Sequence, residues 1–90
     1  MQFNELTFNP RQGLAGIHAL AFFKNGYGAS VVKGLGSYGD EQGLFELAVL
    51  KGDADGWSLC YETPITSDVL GRLSPDDITR HLAEIEALAA

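Results

Sequence analysis

Up to Glu62 the apolar residues alternate with polar ones or fill short runs; beyond Pro64 they recur at helical spacing. Residues 1–13 carry Phe3, Leu6 and Phe8, followed by the breakers Asn9-Pro10 and Gly13, a pattern open to a short edge strand or a docked tail. From Ile17 to Phe23 both alternating sets are apolar, with Ile17, Ala19, Ala21 and Phe23 on one and Leu20 and Phe22 on the other. A strand covered on both faces reads this way, and so does a buried helix. Asn25-Gly26 follows at once and favours the strand, because both residues tolerate the positive φ of a type I′ hairpin turn. Residues 29–33, with Val31 and Val32, read as the returning strand. Residues 44–50 form a third, with Phe45, Leu47 and Val49 on one face and Glu46 on the other. After the polar turn 51–56, Trp57, Leu59 and Tyr61 alternate with Ser58, Cys60 and Glu62 as a fourth strand.

Past Pro64 the period lengthens. Thr66 or Ser67 is placed to cap a short helical turn carrying Val69, Leu70 and Leu73, loosened by Gly71. The last helix is the clearest element. Ser74 stands at its N-cap, Pro75 at its first position, and Asp76 and Asp77 in the first turn, where the helix dipole favours anions. Leu73 and Ile78 are spaced for a hydrophobic staple, and Ile78, Leu82, Ile85 and Leu88 line one face. The expectation is one α+β domain over residues 1–90. It comprises an antiparallel β-meander of about four strands, with a short helix and a C-terminal amphipathic helix packed on one face.

A 90-residue chain builds only a thin core, and small domains commonly recruit a disulfide, a metal or a partner. Cys60 is the single cysteine, so no intrachain disulfide forms, which suits a reducing cytoplasm and leaves self-association as a dimer the expected support. Twelve acids against six bases give a net charge of −6, which argues against nucleic-acid binding through phosphate neutralisation. No apolar run approaches the length of a membrane span, and the apolar stretch 14–23 lacks the preceding positive charge of a secretory signal.

Six of the eleven glycines lie between Gly26 and Gly43, and Gly34, Gly36 and Gly39 spell G-x-G-x-x-G. A dinucleotide site needs that motif to follow a strand and open a helix; here a strand follows, so a flexible hairpin connection is the better reading. Lys51 to Glu62 matches the numbering of a calcium loop, with Asp53, Asp55, Gly56 and Glu62 in place. A lysine stands at the first ligand position, however, and the flanks alternate like strands. His18, His81 and Cys60 are too few soft ligands for a closed zinc site. No catalytic residue, cofactor or metal site is expected. Tyrosines among glycines and acids in turns suit protein contact, or equally a ring folded back to cap the small core; on the first reading the candidate interaction surface is Tyr27, Tyr38, Asp40, Glu41, Asp53 and Asp55.

One resemblance runs from Asn25 to Ile78. Its residues are Asn25-Gly26-Tyr27-Gly28 with Val31, then Ser37-Tyr38-Gly39, then Gly43-Leu44-Phe45-Glu46-Leu47-Ala48-Val49-Leu50. Tyr61-Glu62-Thr63-Pro64-Ile65-Thr66, Asp68-Val69 and Gly71 with Leu73 complete it. In these the chain resembles a group of small accessory proteins encoded by tailed bacteriophages, a group without an assigned activity. The resemblance implies provenance and not mechanism. Small acidic phage proteins without catalytic motifs often bind and block a host protein. By that analogy the expectation is a non-enzymatic protein of the host cytoplasm that binds a host or phage protein, inhibition of a host defence factor being one such role. The alternative expectations are a small-ligand or nucleotide binder using the Gly34–Gly43 loop and a structural virion component.

Overall fold

Alternation in the first two-thirds of the chain resolves into one antiparallel sheet. The computed structural model describes residues 1–13, 15–34 and 42–89. Strands β1 (Asn9–Pro10), β2 (Gly16–Phe22), β3 (Tyr27–Gly34), β4 (Phe45–Asp53) and β5 (Gly56–Leu59) lie side by side in chain order. A further strand, β6 (Leu70–Leu73), also pairs with β4. The meander is therefore longer than four strands, and the segment 1–13 supplies its short edge, where a proline costs no ladder bond.

The short helix expected around Val69 to Leu73 is a strand instead. β5 pairs only with residues 50–53 of β4, which leaves Phe45 and Leu47 without neighbours on that edge, and β6 fills the gap through Leu73 and Leu70. Three apolar residues at helical spacing were too few to compete with that unpaired edge. Thr66 does not cap a helix; its hydroxyl accepts from the Asp68 N–H at 3.1 Å and donates to the Asp68 carbonyl at 2.8 Å, closing a local turn. The β4–β6 register slips between Phe45 and Leu47, and within β6 Arg72 has a left-handed φ of 56°.

The β2–β3 connection also differs from the two-residue type I′ turn. Its loop has three residues: the Phe23 N–H donates to the Tyr27 carbonyl (2.8 Å) and the Gly26 N–H to the Phe23 carbonyl (3.3 Å). Gly26 is left-handed (φ 87°), while Asn25 is not. This is the hairpin geometry that needs one glycine rather than two permissive residues.

Helix α1 (Pro75–Glu86) matches its sequence signals closely. Ser74 Oγ accepts from the Asp77 N–H at 3.2 Å, and Asp77 Oδ2 accepts from the Ser74 N–H at 3.0 Å, a capping box built with aspartate. Ile78, Leu82 and Ile85 are fully buried against Ala29, Val31, Phe45, Leu47 and Val49 of β3 and β4. Leu73 belongs to the same cluster, as the staple spacing predicts, and Leu88 packs at its edge. The N-terminal segment closes one end of this core: the rings of Phe3, Phe8 and Phe45 stand 5.1 to 5.7 Å apart, and the Phe3 N–H donates to Thr79 Oγ1 of α1 at 2.9 Å. At the other end Asn25 reaches out of the hairpin to the helix C-terminus. Its Nδ2 lies 2.9, 3.2 and 3.0 Å from the carbonyls of Ile85, Glu86 and Leu88, while Oδ1 accepts from the Tyr27 N–H. Among the described residues no helix is long and apolar enough to cross a membrane.

Candidate functional site on the open face of the sheet

Directly paired residues on adjacent strands share a face, so the registers define both surfaces of the sheet. Ala21, Ala29 and Val49 form a row beneath α1, as do Ala19, Val31 and Leu47. The opposite face carries Phe22, Gly28, Leu50 and Leu59 in one row and Leu20, Ser30 and Ala48 in the next, with Trp57 beside Gly52. α1 covers only the first of these faces. On the open one Leu20, Trp57 and Leu59 are 40, 42 and 52 % exposed.

These side chains form a connected surface. A Cβ added to Gly28 would lie 2.8 Å from Cδ1 of Phe22, so the Phe22 ring lies over that glycine, bringing it toward Leu50. Leu50 is buried although it points away from α1. The Phe22 to Leu59 row crosses three strand spacings, about 14 Å. Single exposed apolar residues are ordinary on a protein surface, but a contiguous strip of this kind marks a contact surface. Of the two acids on β2–β5, Glu46 and Asp53, only Glu46 points to this side.

At one corner the face turns polar. Pro10, Arg11, Gln12, His18, Ser30 and Val32 line an open pocket of about 540 Å³. His18 Nε2 and Ser30 Oγ stand 3.0 Å apart across β2 and β3. Partial burial, then the nearby Arg11 charge, hold His18 below its usual pKa of 6.5, leaving a neutral imidazole at pH 7.

Of the residues expected from sequence to form an interaction surface, the structure describes Tyr27, Asp53 and Asp55; Tyr27 pairs with Lys51, which places Asp53 diagonally beside it on the same face. Tyr38, Asp40 and Glu41 lie outside the described residues. Tyr27 is in β3 and not in an exposed turn: it is half-buried, packs against the core, and has Lys51 Nζ 6.0 Å from its ring centre. Asp53 Oδ1 accepts from the N–H groups of Asp55 (2.9 Å) and Gly56 (3.1 Å), so this carboxylate closes the β4–β5 turn. Strands flank that turn, where a calcium loop of the matching numbering has helices. The glycine motif joins β3 to its antiparallel neighbour β4, with Gly36 and Gly39 outside the described residues. Cys60 belongs to the core under α1 while His18 is on the opposite face, so the sheet separates them.

Comparison with protein families, curated proteins and solved structures gives no match. The site therefore rests on its own geometry.

Sequence reasoning weighed His18 only as a metal ligand and did not bring it to Ser30, because the hairpin loop decides whether those two meet, while Arg11 and Gln12 reach them only through the β1–β2 pairing. A two-residue Asn25-Gly26 turn would pair His18 with Lys33 and put Ser30 on the other face. The observed three-residue loop pairs His18 with Val32, and His18 and Ser30 become diagonal neighbours. A slip of one residue exchanges the faces of a whole strand.

Proposed function

We propose that this chain is a non-enzymatic protein-binding domain whose partner docks on the open face of the sheet. The observation that carries this reading is the contiguous strip of Leu20, Phe22, Trp57 and Leu59, exposed or half-buried on a face α1 does not reach. The partner surface it fits is apolar and low in charge, because the strip offers aromatic and aliphatic contact and, of the acids on β2–β5, only Glu46 shares its face. The role is that of a small acidic accessory protein of the kind tailed bacteriophages encode, acting in the host cytoplasm on a host or phage protein, with inhibition of a defence factor as its biological form. Self-association fits the same surface: it is where two chains of net charge −6 meet with few facing carboxylates.

The test compares the wild type with a Trp57→Ser, Leu59→Ser double variant by native mass spectrometry and by affinity capture from bacterial lysate. Both side chains are about half exposed, and circular dichroism checks that the double variant remains folded. The expected result is that a stoichiometric partner, or a second copy, is held by the wild type and lost from the variant. Equal retention by both proteins would refute this surface. A bound nucleotide or other small molecule that disappears in Gly36→Val would instead support the rival reading, a ligand site on the Gly34–Gly43 loop.

A further inference from the structure

We propose that the polar corner of the open face is a binding site for a small oxyanion, a phosphate or carboxylate group, held between Arg11, Gln12, His18 and Ser30. This site is independent of the apolar strip and stands or falls separately from it.

The pocket is lined by donors. Arg11 brings a guanidinium with five N–H groups, Gln12 an amide with two, Ser30 a hydroxyl and His18 an imidazole. No carboxylate is among the described residues that line it, in a chain where acids outnumber bases two to one. Glu46 is two strand spacings, about 10 Å, from His18, but it stands opposite Val32 and diagonal to Ser30 at one spacing, about 5 Å, so it bounds the site on the β4 side, where it makes contacts of its own. Arg11 makes other contacts of its own, and a planar guanidinium serves more than one acceptor at once.

Local structure aims these groups. The Arg11 N–H donates to the Gly16 carbonyl at 3.1 Å, fixing the β1–β2 turn. A Cβ placed on Gly16 would lie 3.0 Å from Arg11 Cδ, so the Arg11 stem runs over that glycine, and the residue lines the pocket on the face shared by His18 and Ser30. Ser30 is paired with both β2 and β4, so its backbone N–H belongs to the ladder and cannot form an oxyanion hole. The arrangement therefore suits binding rather than acyl transfer by a Ser–His pair. A divalent cation is the wrong ligand, since it needs the carboxylates the lining lacks. With an anion seated, His18 gains a reason to carry its proton and donate from both ring nitrogens. The charged groups it then faces are Arg11, which opposes protonation, and the ligand, which favours it.

The test is a titration of the full chain with inorganic phosphate, and separately with acetate, at pH 7 and constant ionic strength set by chloride, followed by NMR. Saturable shifts are expected at the His18 ring and at the Arg11 and Ser30 amides, with a Kd of about 1–10 mM. The His18 pKa should rise at saturation. Arg11→Gln should weaken binding at least about tenfold, as expected for losing a charge-assisted contact, and Ser30→Ala should weaken it less, with the remaining amide spectrum preserved in both. Saturation by phosphate alone assigns the site to a phosphate group; equal saturation by acetate assigns it to a carboxylate, such as an acidic side chain of a partner. Shifts that stay linear to about 100 mM, far above that Kd, or variants that titrate like the wild type, would overturn the proposal.

Discussion

Asn25 is the most informative single position, because two explanations for it predict opposite orders of stability. As a turn residue, it would be replaceable by aspartate, since Asp-Gly and Asn-Gly are both favoured in hairpins. As a tertiary cap, it is not. Its Nδ2 serves the carbonyls of Ile85, Glu86 and Leu88, of which the contacts at Ile85 and Leu88 are partly buried, and its Oδ1 takes the Tyr27 N–H. The amide has two N–H groups for three carbonyls, so the contacts amount to two donated bonds and one accepted. At about 1 kcal/mol net for each, with water reaching the exposed Glu86 carbonyl, Asn25→Ala should cost about 2–3 kcal/mol. Asn25→Asp keeps the turn and the Tyr27 contact but loses both donors. It also sets a negative charge against the negative pole of α1, adding about 0.5–1 kcal/mol. Aspartate should therefore be at least as damaging as alanine. Urea unfolding followed by circular dichroism measures both free-energy losses, and thermal melts should show a fall in Tm of roughly 4–8 °C per kcal/mol in a domain of this size. If Asn25→Asp matched the wild type while Asn25→Ala did not, the cap would be irrelevant and the turn would be the whole explanation.

Three further outcomes are expected. Gly16 has φ +126° and a Cβ there would meet the Lys33 carbonyl at 2.2 Å, whereas Gly13 has φ +74° and open space. Gly16→Ala should thus cost about 3 kcal/mol or more from strain and backbone collision, against about 1 kcal/mol for Gly13→Ala, and equal losses by chemical denaturation would contradict the close β2–β3 approach. Leu82→Ala, at a fully buried position of α1, should remove about 2–5 kcal/mol, a large share of the stability of a small domain; a loss under about 1 kcal/mol would mean α1 is not docked as described. Finally, hydrogen bonds from Ser74 hold the Asp77 carboxyl below its usual value of 3.8. Its folded pKa is depressed, so its contribution is complete above 3.8 and is lost as pH falls through the lower folded value. Asp77→Asn should flatten that acid limb in unfolding curves, and an unchanged limb would remove the capping box as its cause.

How much of this was legible beforehand depended on the range of the interactions. The α1 signals are local: cap, first-turn proline, acids and apolar stripe lie within fifteen residues, and each acts on the same few turns of backbone. Residues 66–73 read as helical because three apolar positions at that spacing carry little information, and the edge of β4 that recruits them as β6 is more than twenty residues away in sequence. Alternation in β5 was plain, but it gives two faces without saying which one the helix covers. Trp57 and Leu59 proved to be the open side, and Cys60, just past the end of β5, belongs to the core.

The sequence by itself determined an antiparallel sheet with one amphipathic helix, since period, caps and turn residues are properties of neighbouring positions. Only the tertiary structure decided which face α1 would bury. The three-residue hairpin loop set the β2–β3 register, and the docking of α1, held at its end by Asn25, took the side carrying Ala19, Ala21, Ala29, Val31, Leu47 and Val49. That side is flat and small enough over β2 and β3 for a helix to approach closely. The larger Leu20, Phe22, Trp57 and Leu59 were left outward, and with them His18, Ser30 and Arg11 were brought to one corner.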